Sequence, residues 1–125
     1  MASSRESKRF AETLKAARIG VLESQYQVGL MYANGVGTAL DLEQALVWIG
    51  KAAERGMATA QYLLGTRYAL GLDVVKDEAI AYGWFQRAAA QGHLKARLRM
   101  GRLQAQAPAV LARGTYLQAA EAGLA

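Results

Sequence analysis

The sequence predicts an all-α fold in which antiparallel helix hairpins stack along the chain. Residues 24–56 recur as residues 60–92, and many pairs of identical residues are each separated by 36 positions. Each copy contains two stretches with the apolar spacing of a helix, separated by a turn that contains glycine. A period of this length is typical of helical-hairpin repeats. These pairs include Tyr26/Tyr62, Gly29/Gly65, Tyr32/Tyr68, Gly35/Gly71, Asp41/Asp77, Ala45/Ala81, Trp48/Trp84, Ala52/Ala88, Ala53/Ala89 and Gly56/Gly92.

Composition limits the class of protein. The chain has 125 residues, of which 53% are hydrophobic and 20% charged, which predicts a single compact repeat domain over residues 1–125. The absence of Cys excludes disulfides and thiolate chemistry. The first residues carry charges throughout, and no run of about 18 apolar residues occurs. We therefore expect no secretory signal, no membrane insertion and a cytoplasmic location.

Charge is unevenly distributed along the chain, whose formal net charge is +5. Residues 1–20 hold five basic and two acidic side chains, residues 21–86 hold four basic and seven acidic ones, and residues 87–113 hold six basic and no acidic ones. Basic ends attract nucleic acid, anionic lipid or acidic protein surfaces, and charge alone does not choose among these partners. A solvated basic face that only keeps the protein soluble is the other interpretation.

The first segment, residues 1–20, has the pattern of a helix with one apolar face. The apolar residues follow intervals of three or four: Phe10, Leu14, Ala17 and Val21. The segment matches the second half of a hairpin, because Gly20 stands 36 residues before Gly56. We expect this half repeat to cap the N-terminal end of the stack, with Ser3 or Ser4 near its start.

The first full hairpin is predicted at residues 21–56. Its first helix, near residues 22–33, ends in the turn Asn34-Gly35-Val36-Gly37, whose residues tolerate positive φ. Asp41 then occupies the N-cap position of a second helix, which ends at Gly56.

The second full hairpin, residues 57–92, repeats this plan. Asp77 is the predicted N-cap of its second helix, and Gly92 is the glycine that ends this helix. The turn has Asp73 where the first hairpin has Gly37, so the two turns need not share one backbone conformation.

Glycines stand inside the first helices, where glycine costs roughly 1 kcal/mol relative to alanine. Gly29, Gly65 and Gly101 occupy this position. Close approach of neighbouring helix backbones is the expected reason. We further expect Trp48 and Trp84 to be buried between hairpins.

An abbreviated third repeat is predicted at residues 93–125. The residues up to Gly101 match the earlier repeats at the 36-residue period. The sequence AAEAG at residues 119–123, which matches the end of the first hairpin at residues 52–56, comes five residues earlier than this period predicts. Pro108 fits the first turn of the second helix, where its missing N–H is not needed. The stack should therefore contain about seven helices.

The repeated pattern is LG-x-x-Y-x-x-G, then D-x-x-x-A-x-x-W, and then K/R-A-A-x-x-G. The second hairpin carries it on Leu64, Gly65, Tyr68, Gly71, Asp77, Ala81, Trp84, Arg87, Ala88, Ala89 and Gly92. This pattern resembles the Sel-one-like repeat family, relatives of the tetratricopeptide repeats. The resemblance covers residues 12–105 well and the remainder poorly. It implies a right-handed α-solenoid that acts as an adaptor for protein or peptide partners.

No residue pattern indicates catalysis, so we expect no enzyme activity, no cofactor and no metal. His93 is the only histidine and stands just after a stop glycine, where a helix-start role is the favoured interpretation. One histidine without cysteine predicts no metal site. The turn Gly35-Val36-Gly37 lacks the preceding strand and third glycine of a dinucleotide-binding loop. Asp41 and Asp77 are caps in equivalent places, not a catalytic pair.

The varying positions of the first helices define a candidate binding face. They fall at i, i+3, i+4 and i+7, which is one face of a helix. Along the chain this face changes from apolar and amide groups to arginines, which bind carboxylates bidentately, so it suits an extended peptide with an acidic end. The alternative is that these positions only face solvent. The predicted partner-binding residues are Gln27, Leu30, Met31, Asn34, Leu63, Thr66, Arg67, Leu70, Arg99, Arg102 and Leu103.

Two functions from different classes remain open. The first is a protein-interaction adaptor that binds a protein or peptide on the concave face. The second is a nucleic-acid-binding protein, which a pI near 9.7 and Arg97, Arg99 and Arg102 favour. The central hairpins are net acidic, whereas nucleic-acid binding requires a continuous basic track, so nucleic acid is the less favoured partner.

The C-terminal end is a candidate oligomer face. Val110, Leu111, Leu117 and Leu124 have no following polar helix to cover them. Solenoid ends without a polar cap tend to associate. The prediction is a homodimer through this end, because a twofold dimer is the commonest outcome for a self-complementary patch.

Overall fold

A computed structural model describes residues 3–106, which form six α-helices and contain no strand. The helices are α1 (Ser4–Arg18), α2 (Leu22–Asn34), α3 (Leu42–Glu54), α4 (Ala58–Leu70), α5 (Glu78–Ala89) and α6 (Leu94–Gln106). The described residues divide into two compact units, residues 3–60 and residues 61–106. The all-α prediction is confirmed for this range. The seventh predicted helix, with Pro108, and the predicted oligomer face lie outside the described residues.

Side-chain caps begin three of the helices at the predicted residues. Ser3 Oγ accepts a hydrogen bond from the backbone N–H of Glu6 at 3.0 Å and begins α1. Asp41 and Asp77 begin α3 and α5, and each accepts through Oδ1 at 3.0 Å from the N–H three residues later. A carboxylate here satisfies an amide that has no partner within the helix and faces the positive end of the helix dipole.

The two hairpin turns share one backbone conformation, although they differ in sequence. Gly37 has φ of 74° and Asp73 has φ of 64°, so both lie in the left-handed region. Aspartate enters this region more readily than most side chains do. Each turn closes in the same way, since the N–H of Asp41 donates to Tyr32 O at 2.9 Å and the N–H of Asp77 donates to Tyr68 O at 3.0 Å. Replacing glycine with aspartate therefore leaves the turn unchanged.

The core of residues 3–60 lies where α1, α2 and α3 meet. Trp48 is only 8% exposed, as expected. Phe10 packs edge-to-face on Tyr32, with ring centroids 5.2 Å apart. The residues of this cluster are Ala17, Val28 and Trp48, with Phe10, Leu14 and Tyr32 packed against them.

Close approach at the helix glycines is observed at two of the three positions. A Cβ on Gly29 would lie 2.6 Å from Ile49 Cγ1, and a Cβ on Gly65 would lie 2.6 Å from the ring of Phe85. These distances are too short for a Cβ atom. The close packing of α3 on α2 and of α5 on α4 therefore requires glycine at residues 29 and 65. For Gly101, no neighbouring atom of the described residues comes within 4 Å of the Cβ position.

In residues 61–106, α5 packs against α6. Phe85 of α5 is 1% exposed, and its ring lies against Gly65 and Tyr62 of α4. Gln104 Nε2 donates a hydrogen bond to the hydroxyl of Tyr82 at 3.0 Å between α6 and α5.

Trp84 is only partly buried, which corrects the expectation of full burial. Its indole lines a surface groove, and the guanidinium of Arg87 stacks 4.7 Å from the ring centroid.

Candidate functional site

A cavity of about 260 Å³ lies among α4, α5 and α6 of the second unit. We call it the basic cavity. Its apolar residues include Leu70, Phe85 and Leu103, while Lys76, Glu78, Arg99 and Arg102 supply charges. The complete lining is Ala69, Leu70, Lys76, Glu78, Phe85, Arg99, Arg102, Leu103 and Gln106.

Two of the four charges of the basic cavity are uncompensated among the described residues. Lys76 Nζ lies 3.7 Å from a carboxylate oxygen of Glu78, so these two charges offset each other. Arg99 and Arg102 are exposed, and neither forms an ion pair with another residue of the described range. Two guanidinium groups beside apolar side chains provide a site for a carboxylate that is attached to an apolar group.

The cavity brings together four residues of the predicted binding face. Leu70 from the end of α4 lies with Arg99, Arg102 and Leu103 from α6. Leu70 is 59% exposed, whereas Leu103 is 8% exposed and contributes to the apolar wall. Residues far apart in the sequence thus form one concave surface in the second unit.

The other predicted residues of α4 do not line this cavity. Arg67 forms an ion pair with Asp73 across the turn, which offsets its charge. The hydroxyl of Thr66 donates to the carbonyl of Tyr62 in its own helix at 3.0 Å. Leu63 is half-buried.

In the first unit, two of the predicted residues of α2 use their side chains in hydrogen bonds within their own helix. Gln27 Nε2 donates to a carboxylate oxygen of Glu23 at 3.1 Å, and Asn34 Nδ2 donates to Leu30 O at 3.0 Å. Met31 is 7% exposed and belongs to the core, so its side chain is not available to a partner.

Sequence reasoning missed the contribution of the turn and of α5 to the cavity. The predicted face contained only residues of the first helix of each repeat, whereas Lys76 comes from the turn of the second hairpin and Glu78 and Phe85 come from its second helix, α5. The repeat contained a usable signal for Phe85, because this residue takes the place of Ile49, which contacts the helix glycine in the first hairpin.

Two buried glutamines were also missed, although they are 36 residues apart in the sequence. Gln25 is 7% exposed and Gln61 is 2% exposed. Gln25 donates to Ala17 O at 3.2 Å and accepts from Arg55 at 3.3 Å, while Gln61 accepts from Gln91 at 3.0 Å. These bonds satisfy buried amides and join helix ends, so their role is structural.

Two ionisable rings occupy structural positions. His93 Nδ1 accepts a hydrogen bond from the backbone N–H of Ala96 at 3.2 Å, as expected of a residue at the start of a helix. Its ring stacks on Tyr62, with centroids 4.6 Å apart.

Burial raises the pKa of the Tyr26 phenol, and the nearby carboxylate of Glu23 raises it further.

Within residues 3–106, no helix is long and apolar enough to cross a membrane. In the same range, no group of three or more His, Asp or Glu side chains is placed to hold a metal ion.

Comparison with known proteins assigns the repeat. The model of the Sel1 repeat matches residues 22–57 and 58–93, which together make up more than half of the chain. The chain belongs to the Sel1 repeat family. The resemblance found in the sequence is thereby confirmed. Sel1 repeats are generally scaffolds for protein–protein interaction.

Solved structures with the same fold support this assignment. The chain is similar to a Sel1 repeat protein from Oxalobacter formigenes, with 34% identity and a TM-score of 0.73 over 77% of this chain and 39% of that one. It is also similar to c5321, a protective antigen of uropathogenic Escherichia coli with an SLR fold, with 35% identity and a TM-score of 0.72 over 75% of this chain and 20% of that one. The chain thus spans well under half the length of either protein. No curated protein matches the chain.

Proposed function

We propose that this Sel1 repeat protein is a non-enzymatic adaptor that binds an acidic segment of a partner protein in the basic cavity. The proposal rests on Arg99 and Arg102. Neither forms an ion pair with another described residue, and both border the apolar wall of the cavity. An unpaired cation beside apolar surface gains most from a ligand that supplies a carboxylate.

In this complex the arginines bind a carboxylate while Leu70 and Leu103 contact an apolar side chain of the same segment. Arg67 is assigned no contact with the partner, because its ion pair with Asp73 offsets its charge. Met31 lies in the core and is no longer proposed as a contact. The other residues of the predicted face, on α2 and the first part of α4, stay a prediction.

Nucleic acid suits the basic cavity less well. The apolar wall offers no hydrogen bonds to a phosphate backbone.

Affinity capture from an extract of the native cell tests the proposal. The bait is the wild-type chain, the double variant Arg99→Glu/Arg102→Glu, or the control Arg5→Glu/Arg9→Glu, which makes the same charge change on the exposed face of α1. We expect the wild type and the control to recover the same protein partner and the cavity variant to lose it. Equal recovery by all three baits contradicts the proposal.

A salt titration of the recovered complex separates the two functions. Nucleic-acid affinity falls by about 10³ or more between low and moderate salt when several phosphates are contacted. A complex with one acidic segment is expected to weaken far less, and nuclease treatment should leave it intact.

A further inference from the structure

The exposed side of α1 carries five basic side chains, and we call this surface the α1 basic face. All five are exposed, and none forms an ion pair with another residue of the described range. They extend over about 20 Å of helix. Of the two acidic residues of α1, Glu6 bonds to Ser3 at the helix start, which leaves Glu12 among the cations. The basic residues are Arg5, Lys8, Arg9, Lys15 and Arg18.

This charge is a feature of α1 and not of the repeat. The positions 36 and 72 residues later contain one cation in each hairpin, Lys51 and Arg87. Each of these two lies 4.7 Å from the ring centroid of a tryptophan in its own helix, so it has a packing role. In α1 the tryptophan is replaced by Glu12. The hairpins fold without cations at the other four positions, so the scaffold does not explain them.

Other parts of the same chain do not complement this face. Residues 107–125 contain a single acidic side chain, Glu121. The helices α3 and α5 pack on glycine, whereas a helix packed on the α1 basic face would bury cations without counter-charges, which is costly. A second copy of α1 would bring like charges together. The face therefore complements a surface with many negative charges.

An exposed apolar residue in this face selects among anionic surfaces. Ile19 directly follows α1 and is 78% exposed. Lys8 and Lys15 precede it by 11 and 4 residues, intervals that place the three side chains on one side of a helix. The equivalent residues Arg55 and Gln91 form hydrogen bonds to their neighbours, whereas isoleucine offers none. A nucleic acid presents phosphates and no apolar layer to such a face, whereas a bilayer has anionic headgroups above an apolar interior.

We propose that the α1 basic face binds the surface of an anionic lipid membrane, with the cations among the headgroups and Ile19 against the acyl chains. The helix lies along the membrane surface and does not cross it. A single basic patch gives weak, reversible membrane binding, so the contact is peripheral. It is a contact with lipid in the first unit and is independent of the protein partner that we assign to the basic cavity.

Sedimentation of the full chain with lipid vesicles tests the proposal. The vesicles contain phosphatidylcholine alone or phosphatidylcholine with about 30% phosphatidylserine, which gives them a negative surface. At about 0.1 M salt, we expect the wild type to bind the anionic vesicles about tenfold or more tightly than the neutral ones. Raising the salt to about 0.5 M should release the chain, because the Debye length falls from about 10 Å at about 0.1 M.

Two double variants with the same change in net charge locate the contact. Lys8→Glu/Lys15→Glu should weaken binding to anionic vesicles by about tenfold or more. Lys95→Glu/Arg97→Glu changes exposed cations of α6 and should change the affinity by less than about twofold. All four positions are exposed, so circular dichroism of both variants should match the wild type.

Two single variants test the contribution of Ile19. Ile19→Ser should weaken binding to anionic vesicles by about threefold or more, because it removes apolar surface from the lipid contact. Val75→Ser changes a residue of the second unit that is 88% exposed and should leave binding unchanged.

Three results overturn the proposal. The first is equal binding of the wild type to neutral and anionic vesicles, or no binding to either. The second is equal weakening by the α1 and α6 double variants, which assigns binding to net charge alone. The third is full retention of binding by Ile19→Ser, which removes the reason for a lipid surface. If the chain then also binds duplex DNA, and Lys8→Glu/Lys15→Glu abolishes this binding, the face is assigned to nucleic acid.

Discussion

The two hairpins share a backbone conformation, but the two units that contain them differ at the varying positions of their first helices. The N-caps Asp41 and Asp77 have φ values of −147° and −151°, and the turns close with equivalent hydrogen bonds. In the first hairpin, Gln27 and Asn34 bond within α2. The second unit instead places exposed arginines around a cavity. The repeated residues thus determine the hairpin, and we propose that the varying residues determine where a partner binds.

The largest expected difference concerns the two tryptophans. Trp48→Ala should lower the free energy of unfolding by about 3 to 5 kcal/mol, since it empties the core of the first unit. Trp84→Ala should cost clearly less, because part of its indole is in contact with solvent. Urea denaturation followed by circular dichroism measures both values. Equal losses would show that the two hairpins bury their tryptophans alike.

The turns provide the next comparison. In Gly37→Ala, the positive φ alone should cost about 1 to 3 kcal/mol, and the new Cβ would also collide with the carbonyl oxygen of Glu6. Asp73→Gly should change stability by less than about 1 kcal/mol, because glycine suits this φ while an exposed ion pair is lost. Thermal denaturation of the two variants tests this order. A larger loss for Asp73→Gly would mean that the pair with Arg67 holds the turn.

The capping aspartates should behave alike. Asp41→Ala and Asp77→Ala each remove one side-chain acceptor at a helix start, so each should cost about 1 kcal/mol. Denaturant titrations of the single variants give both values. A difference well above 1 kcal/mol between them would contradict the equivalence of the two hairpins.

The smallest effect is the titration of Tyr26 in the first hairpin. Its raised pKa means that the folded state disfavours the phenolate, so the associated stability is present below about pH 10 and is lost as the pH rises through the folded pKa. Tyr26→Phe lacks this ionisation and should lose less stability than the wild type above about pH 10. Denaturation of both proteins on either side of this pH checks the sign. Parallel loss in the two proteins would exclude the shift.

Much of the fold could be predicted because its causes are local. Aspartate at an N-cap and glycine at positive φ act within a few residues, so Asp41, Asp77 and Gly92 mark helix ends in the sequence itself. The period of 36 residues then extended each assignment to its equivalent position.

The site could be predicted only in part because it depends on contacts between helices. Periodicity places Arg99, Arg102 and Leu103 on one face, but it does not reveal that Met31 turns into the core. It also does not indicate how far a neighbouring element covers Trp84, whose position matches that of buried Trp48. Burial depends on the packed neighbours, and these lie far away in the sequence.

The most direct test of the central claim measures the affinity of the captured partner for two matched double variants. Arg99→Glu/Arg102→Glu changes the basic cavity, and Gln27→Glu/Asn34→Glu places two carboxylates on the corresponding face of α2. Isothermal titration calorimetry at physiological salt gives the dissociation constants. We expect the first variant to weaken binding by about 2 to 5 kcal/mol and the second to leave it within about twofold of wild type. Loss of binding in the α2 variant with retention in the cavity variant would contradict the assignment of the site to the second unit.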